Sequence, residues 1–517
     1  MINIDGESLI ISDLVKVAYE NEEIAISDFG REKILKSNKR LLKILKDENP
    51  VYGLNTGFGI FANQVISKRD NEKLNRNLII SHAVGTGEPL PREIVRATML
   101  IRANALTKGY SGVRIEIVQT LIDMLNENVL PMIYSKGSLG SSGDLCMLAQ
   151  MALVLSEGED VNEQESGFAD FSGELLSGSK AMRKAGIERL RLSNKEGLAL
   201  INGATFSAAI LALCIDKAEF LCNLADLAVA LCLEGLVGRS DPFHPELHHA
   251  RGLDGQIQSA RIISQNIKDS TLIDSHAHVQ DAYSLRCSPQ VHGAVRDTLE
   301  FVTKIIQKEI NAATDNPLIV EEDKVISGGN FHGEPVGMGA DFLSIALSEL
   351  AAISERRVFR LMDKNLNYGL KEMLVDTNSL EGLNSGLMML QYAAAALVLE
   401  NQTLSSPDSV RSLPTSANQE DHNANAYLAA YHTWQILENA TKVLAIELYS
   451  SCRAIEQRLR LCPDKKPGTK TGKAYKLIRE YFPYKPDDSL WSLDMEKMYS
   501  FLLKPSEFQN KIRLILD

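Results

Sequence analysis

Apolar residues recur at spacings of three and four over long stretches of this sequence: Val95 to Leu106, Ile115 to Leu125, Leu198 to Leu236, Val291 to Ile310, Asp341 to Met362, Ser385 to Glu400 and Tyr427 to Leu461. No alternating strand pattern persists. A period near 3.6 places the apolar side chains on one helical face, which must be buried against another element. Several of the stretches are unusually long and rich in Ala, Leu and Ser, so the helices are expected to pack closely against one another. The fold class that follows is mainly α, a large bundle of long helices with a loop-rich N-terminal region. At 517 residues and 44% hydrophobic composition the chain can bury a large core. Residues 1–197 read as the N-terminal region, 198–462 as the central long-helix bundle, and 463–517 as a C-terminal helical tail entered through the Lys/Pro/Gly/Thr-rich stretch Pro463 to Lys473.

The balance of charge narrows the function. A net charge of -12 and a pI near 5.5 argue against a general nucleic-acid binder. The N-terminus, Met1-Ile-Asn-Ile-Asp-Gly-Glu, has neither the charged nor the apolar region of a secretory signal. The most apolar stretches, Ala204 to Cys214 and Gly386 to Leu399, are too short or too interrupted to span a bilayer, so a soluble cytoplasmic protein without membrane partners is expected. Seven scattered cysteines with no Cys-x-x-Cys pair make disulfides and a thiolate zinc site poor expectations. His244, His248 and His249, with His276 and His278, have partial metal spacing. Pro245 stands where the metallopeptidase pattern needs its glutamate, so these are expected to be solvated surface histidines, with no metal.

The connections between helices hold most of the chemistry. Tyr52-Gly-Leu-Asn-Thr-Gly-Phe-Gly59, Ser81-His-Ala-Val-Gly-Thr-Gly87, Gly137-Ser-Leu-Gly-Ser-Ser-Gly-Asp144, Gln280-Asp-Ala-Tyr-Ser-Leu-Arg286, Ser327-Gly-Gly-Asn-Phe-His-Gly-Glu-Pro335 and Ser412-Leu-Pro-Thr-Ser-Ala-Asn-Gln-Glu-Asp-His422 are Gly-, Pro- and amide-rich. Loops of this kind on a rigid helical frame usually carry function, and they are expected to converge. Within the Gly137 run, attack of the Gly143 amide nitrogen on the Ser141 carbonyl carbon, with loss of water, closes a five-membered imidazolone. Loss of the Ser142 hydroxyl as a second water leaves an exocyclic methylidene, an electrophile no ordinary side chain provides. The reaction needs a compressed backbone, which glycine tolerates best. Ser141 gives only its carbonyl, so its side chain is read as a bystander. The plainer reading is a Gly/Ser turn capping the helix that begins at Leu145.

Eight motifs, in order and over nearly the whole chain, resemble those of the aromatic amino acid ammonia-lyases, and within them the lyases that act on histidine. Besides those above, the last of which matches over Pro414 to His422, they include Lys195-Glu-Gly-Leu-Ala-Leu-Ile-Asn-Gly203 and Ala313-Thr-Asp-Asn-Pro-Leu318. The resemblance implies a mostly helical subunit, a homotetramer with active sites shared between subunits, and a 4-methylidene-imidazol-5-one formed autocatalytically from Ser141-Ser142-Gly143, with no metal. Two positions depart from the family: Ser141 replaces the usual alanine, and Ala204-Thr205 replaces the Thr-Gln common among the histidine lyases. A buried Ser141 hydroxyl would need a hydrogen-bond partner.

The resemblance also implies roles. Tyr52 matches the base that removes the β-proton, and Arg286 the guanidinium that grips the substrate carboxylate. Asn202, Gln280, Tyr283 and Asn330 match groups that orient substrate and cofactor, and Phe331 the aromatic wall beside them. His82 and Glu420 fit an imidazole substrate, with Met388 as apolar packing beside its ring. The implied reaction takes ammonia from L-histidine and gives urocanate. Alternatives are a lyase or aminomutase acting on another aromatic amino acid, and cofactor-free elimination of trimethylamine from a histidine betaine. The fumarase and aspartase class is discounted, because its Gly-Ser-Ser signature continues toward Met, Pro and Lys.

Overall fold

The computed structural model describes all residues except 48–50, 58–62, 159–162, 322–323, 377, 379–381 and 517. Helices dominate, as the periodicity predicts. Strands are limited to pairings of two to four residues, such as parallel Ile2–Ile4 with Ile24–Ile26 and antiparallel Phe168–Phe171 with Glu174–Ser177, too short to leave an alternating pattern.

The chain divides into two compact units. The first comprises Met1–Asp216, Thr303–Asp341 and Pro407–Tyr431. Its core is built on the helix Arg92–Thr107, buried at every residue from Ile94 onward and packed against Ile115–Asn126. Polar groups inside such a helix must find partners, and they do. Arg96 donates to the carbonyls of Val17 (2.7 Å) and Leu125 (3.0 Å), and the Asn104 amide donates to the Ile310 carbonyl (2.9 Å).

Beside it, the helices Asn71–His82, Leu145–Leu155 and Glu196–Ile201 pack pairwise against one another. The trio matters for position. His82 is the last residue of the first helix, Asp144 precedes the start of the second, and Asn202 caps the end of the third.

The apolar run from Leu198 to Leu236 reads as one helix in the sequence, but the structure breaks it at Asn202–Ala204, between Glu196–Ile201 and Thr205–Gly235. Gly203 has φ +129°, a conformation no helix contains, and that excursion brings its backbone against the Gly143 loop.

The second unit comprises Lys217–Val302, Phe342–Ser406 and His432–Asp517. Its interior carries charge in closed pairs. Glu447 receives the Arg357 guanidinium (Nη2 at 2.8 Å) and the Ser354 hydroxyl (2.6 Å), while Asp226 accepts from Arg296 (2.6 Å) and lies 2.7 Å from His292 Nδ1. Burial lowers the His292 pKa. His248 corrects the expectation of a solvated histidine: it is 1% exposed, donates from Nε2 to the Pro242 carbonyl (2.9 Å) and accepts the Gln256 amide at Nδ1 (2.9 Å). The rings of His276 and His278 lie against Tyr368.

One helix among the described residues, Glu334–Met362, is long and apolar enough to cross a membrane by length and composition, and 67% of its most apolar window is buried inside the protein. That helix coincides with neither of the stretches picked out in the sequence.

Candidate active site

Ser141, Ser142 and Gly143 sit in a loop compressed from several sides. Gly137, Gly140 and Gly143 have φ +143°, +64° and +85°. A Cβ on Gly143 would stand 2.1 Å from the Gly203 nitrogen, so neither backbone could approach the other with a side chain between them. The two glycines form an isolated parallel bridge, and the Asp144 amide donates to the Gly203 carbonyl (2.9 Å). On the opposite side the Gly333 amide donates to the Gly140 carbonyl (3.1 Å).

Asp144 anchors the loop from beneath. Its carboxylate is fully buried and accepts from the Ser138 hydroxyl (2.8 Å) and from the amide (2.9 Å) and hydroxyl (3.0 Å) of Ser207. Burial raises its pKa despite these donors.

Asn202 reaches the loop directly: Nδ2 donates to the Ser142 carbonyl at 2.7 Å. Its own carbonyl accepts from the buried Arg102 guanidinium, which also reaches the Thr314 hydroxyl (3.3 Å). Burial lowers the Arg102 pKa to about 10. Next to Thr314, Asp315 closes a buried ion pair with Lys195. Removing either partner would strand a charge in the interior, so the pair fixes the chain on both sides of Asn202.

This loop forms one wall of a cavity of 1240 Å³ lined entirely by the first unit. Of the residues singled out from the sequence, Tyr52, His82, Ser141, Ser142, Asn202, Phe331 and Glu420 all line it. Tyr52 stands on a turn closed by the Leu54 and Asn55 amides on the Val51 carbonyl (3.1 and 3.3 Å); Phe58 and Gly59 of its motif lie outside the described residues. His82 Nδ1 is 3.0 Å from the Ser81 hydroxyl. Burial lowers the His82 pKa, and the charge of Glu420 pulls it back in part. Glu420 accepts the Thr415 hydroxyl at 3.0 Å.

The remaining candidates lie elsewhere. Asn330 donates to the Ala313 carbonyl (3.3 Å) and lines a separate cavity of 590 Å³. Gln280, Tyr283, Arg286 and Met388 belong to the second unit and are not among the lining residues. Gln280 and Tyr283 are exposed, Tyr283 at 72%, and the Arg286 guanidinium stacks 4.7 Å from the Tyr283 ring centroid. Among the described lining residues there is no lysine or arginine, so the cavity built by one chain holds no permanent cation for a carboxylate.

Gln419, the neighbour of Glu420 in the Gln-Glu pair that fits an imidazole substrate, also lines the cavity, as do Asn316, His332 and His422, to which the sequence assigns no role. The rings of His332 and His422 stack within 6° of parallel at 5.9 Å, and His332 Nε2 donates to the His422 carbonyl (3.1 Å). All four lie inside motifs already visible in the sequence; the contact of His332 with His422, across 90 residues, is not.

A model of the family "Aromatic amino acid lyase" matches residues 9–480. The chain belongs to this family. It is 49% identical to a protein named histidine ammonia-lyase from Caldanaerobacter subterraneus subsp. tengcongensis, over 92% of this chain and 91% of that protein. Among solved structures it is similar to the tyrosine aminomutase from Streptomyces globisporus, with TM-score 0.92 and 32% identity over 99% of this chain and 98% of that one. It is also similar to the histidine ammonia-lyase from Trypanosoma cruzi, with TM-score 0.87 and 34% identity over 100% of this chain and 97% of that one. The solved structures that resemble this fold divide in name between lyases and aminomutases.

Proposed function

We propose that this chain is an ammonia-lyase that converts L-histidine to urocanate and ammonia, on a methylidene-imidazolone made from its own Ser141-Ser142-Gly143. The observation that carries the reading is the meeting of Ser142 with His82 and Glu420 on one cavity, a tripeptide able to cyclise facing a pair suited to an imidazole.

Two features favour cyclisation. The mutual approach of Gly143 and Gly203 supplies the compression that ring closure needs. Asn202 donates to the Ser142 carbonyl and so holds the tripeptide's backbone in place. The group, once formed, supplies an electrophile that turns the substrate amine into a better leaving group.

The side chains divide the remaining work. Tyr52 takes the β-proton as the α-amino group departs and the Cα–Cβ bond becomes double. Glu420 accepts the imidazole N–H. His82, its pKa lowered by burial, is neutral at pH 7 and bonds to the other ring nitrogen without adding positive charge. Phe331 walls the site. Arg286, Gln280, Tyr283, Asn330 and Met388 act in the assembled enzyme, a homotetramer in which an exposed segment of one copy completes the cavity of another. The exposure of Val279 (93%) and Tyr283 (72%) supports that role, as does the absence of arginine and lysine among the described lining residues. The seven cysteines, none of them in a disulfide among the described residues, suit a reducing cytoplasm.

Intact-mass measurement of the purified protein is expected to show a chain lighter than its sequence by two waters, and histidine to be converted to urocanate in preference to phenylalanine, tyrosine or trimethylhistidine. An unshifted mass with full activity sinks the cofactor. Turnover of trimethylhistidine alone sinks the substrate, and a β-amino acid product makes the enzyme an aminomutase.

A further inference from the structure

Ser141 replaces the family's usual alanine, and ring closure uses only its carbonyl. Its hydroxyl is nonetheless committed. Ser141 is 5% exposed, and Oγ accepts the Ala424 amide at 2.9 Å while donating to the Leu139 carbonyl at 3.4 Å. The expected partner of a buried hydroxyl is therefore present, and it belongs to the segment that carries Glu420.

That segment is strained. Ser416, Ala417 and Asn418 have φ +50°, +52° and +65°, three successive non-glycine residues in the left-handed region. Thr415 and Glu420 close the turn with paired backbone bonds of 2.8 and 3.3 Å. Such a conformation persists only when its surroundings over-determine it. On the C-terminal side, besides the His422 carbonyl that accepts from His332 (3.1 Å), the ties include three specific bonds: the Asn423 amide donates to the Ser412 hydroxyl (2.7 Å), the Asn425 side chain to the Arg411 carbonyl (2.9 Å), and the Ala424 amide to Ser141. The first two stay inside the segment. The third joins it to the loop of Ser142.

We propose that Ser141 is a positioning residue, its hydroxyl setting Glu420 relative to Ser142 and so tuning how the imidazole end of the substrate is held. This rests on the function proposed above. An alanine at 141 leaves the Ala424 N–H buried without its acceptor, and the turn relaxes to satisfy it.

The test uses the full-length enzyme. Ser141→Ala is expected to lose two waters like the wild type, to raise the KM for histidine about fivefold, and to change kcat less than about twofold. Urocanate binding, measured by calorimetry, weakens by the same factor. Ser141→Cys, nearly isosteric but a poor acceptor, gives the same direction, which removes a cavity as the cause. In a Glu420→Gln background Ser141→Ala adds little to the loss of urocanate affinity, because the two residues act through one contact. Unchanged KM and urocanate affinity, fully additive losses, or a failure to lose water in Ser141→Ala each overturn the proposal. A wild-type enzyme that keeps its waters or makes no urocanate instead overturns the function on which it rests.

Discussion

The loops Gly137–Asp144 and Gln280–Arg286 carry the two most telling motifs of the chain, and they are built in opposite ways. The first is held by backbone at three of its residues, Gly203 against Gly143, Gly333 on Gly140 and Ala424 on Ser141, with Asp144 buried. The second leaves Val279, Gln280 and Tyr283 in solvent and gives Arg286 little beyond a stack on the Tyr283 ring. Under the proposed function, the first loop drives its own backbone through an unfavourable cyclisation and needs compression from its own chain, while the second grips a substrate carboxylate and needs only to be delivered to another copy.

Five measurements would break or sharpen that contrast. The largest effect is expected from Ser142→Ala, which removes the hydroxyl that departs as the second water. The mass deficit should shrink and kcat fall by at least about 10³-fold; retention of activity would mean the loop is only a cap. Arg286→Leu should leave the mass deficit intact while cutting kcat/KM by about 10²-fold, the loss of a bidentate carboxylate contact. Unfolding and reassembling Ser142→Ala copies with Arg286→Leu copies should then restore part of the activity, since mixed assemblies pair an intact cavity with an intact segment. No recovery in confirmed mixed assemblies would place both regions in the service of one copy.

Gly203→Ala probes the compression itself. Its Cβ would stand 2.6 Å from the Thr314 hydroxyl at φ +129°, a cost of about 1–3 kcal/mol that should appear as a lowered Tm and incomplete water loss. An unchanged Tm and full cyclisation would show that the close approach is incidental. The smallest effect concerns pH. Because burial lowers the folded pKa of His82, the unfolded chain takes up its proton first as pH falls below about 6.5. The stability this group contributes is therefore present above that pH and is lost as pH falls through the folded value. His82→Phe should flatten that part of the stability–pH curve, and an unaltered curve would remove His82 from the titrating groups.

Legibility followed the range over which each signal acts. Helical periodicity is local, and the long helices fall close to where it places them. The exception is the break at Asn202–Ala204, hidden because Ala204, Phe206 and Ala208 continue the apolar pattern while only Gly203 marks the turn. Contacts between motifs were invisible. The Lys195–Asp315 pair joins residues 120 apart, and Ser141 meets Ala424 across 283. Ser141 is the sharpest case. Ring chemistry alone makes its side chain a bystander, and only the fold places a donor against it.

By itself the sequence determined the helical class, the loops that hold the chemistry and the tripeptide able to cyclise, because periodicity and covalent reactivity depend on residues close in the chain. Only the tertiary structure decided that seven of the named residues line one cavity of the first unit, that Ser141 is tied to the Glu420 segment, and that Gln280 and Tyr283 stand in solvent. Helix packing and backbone approach couple residues hundreds of positions apart, and a pattern of neighbours cannot state which distant neighbour a side chain will meet.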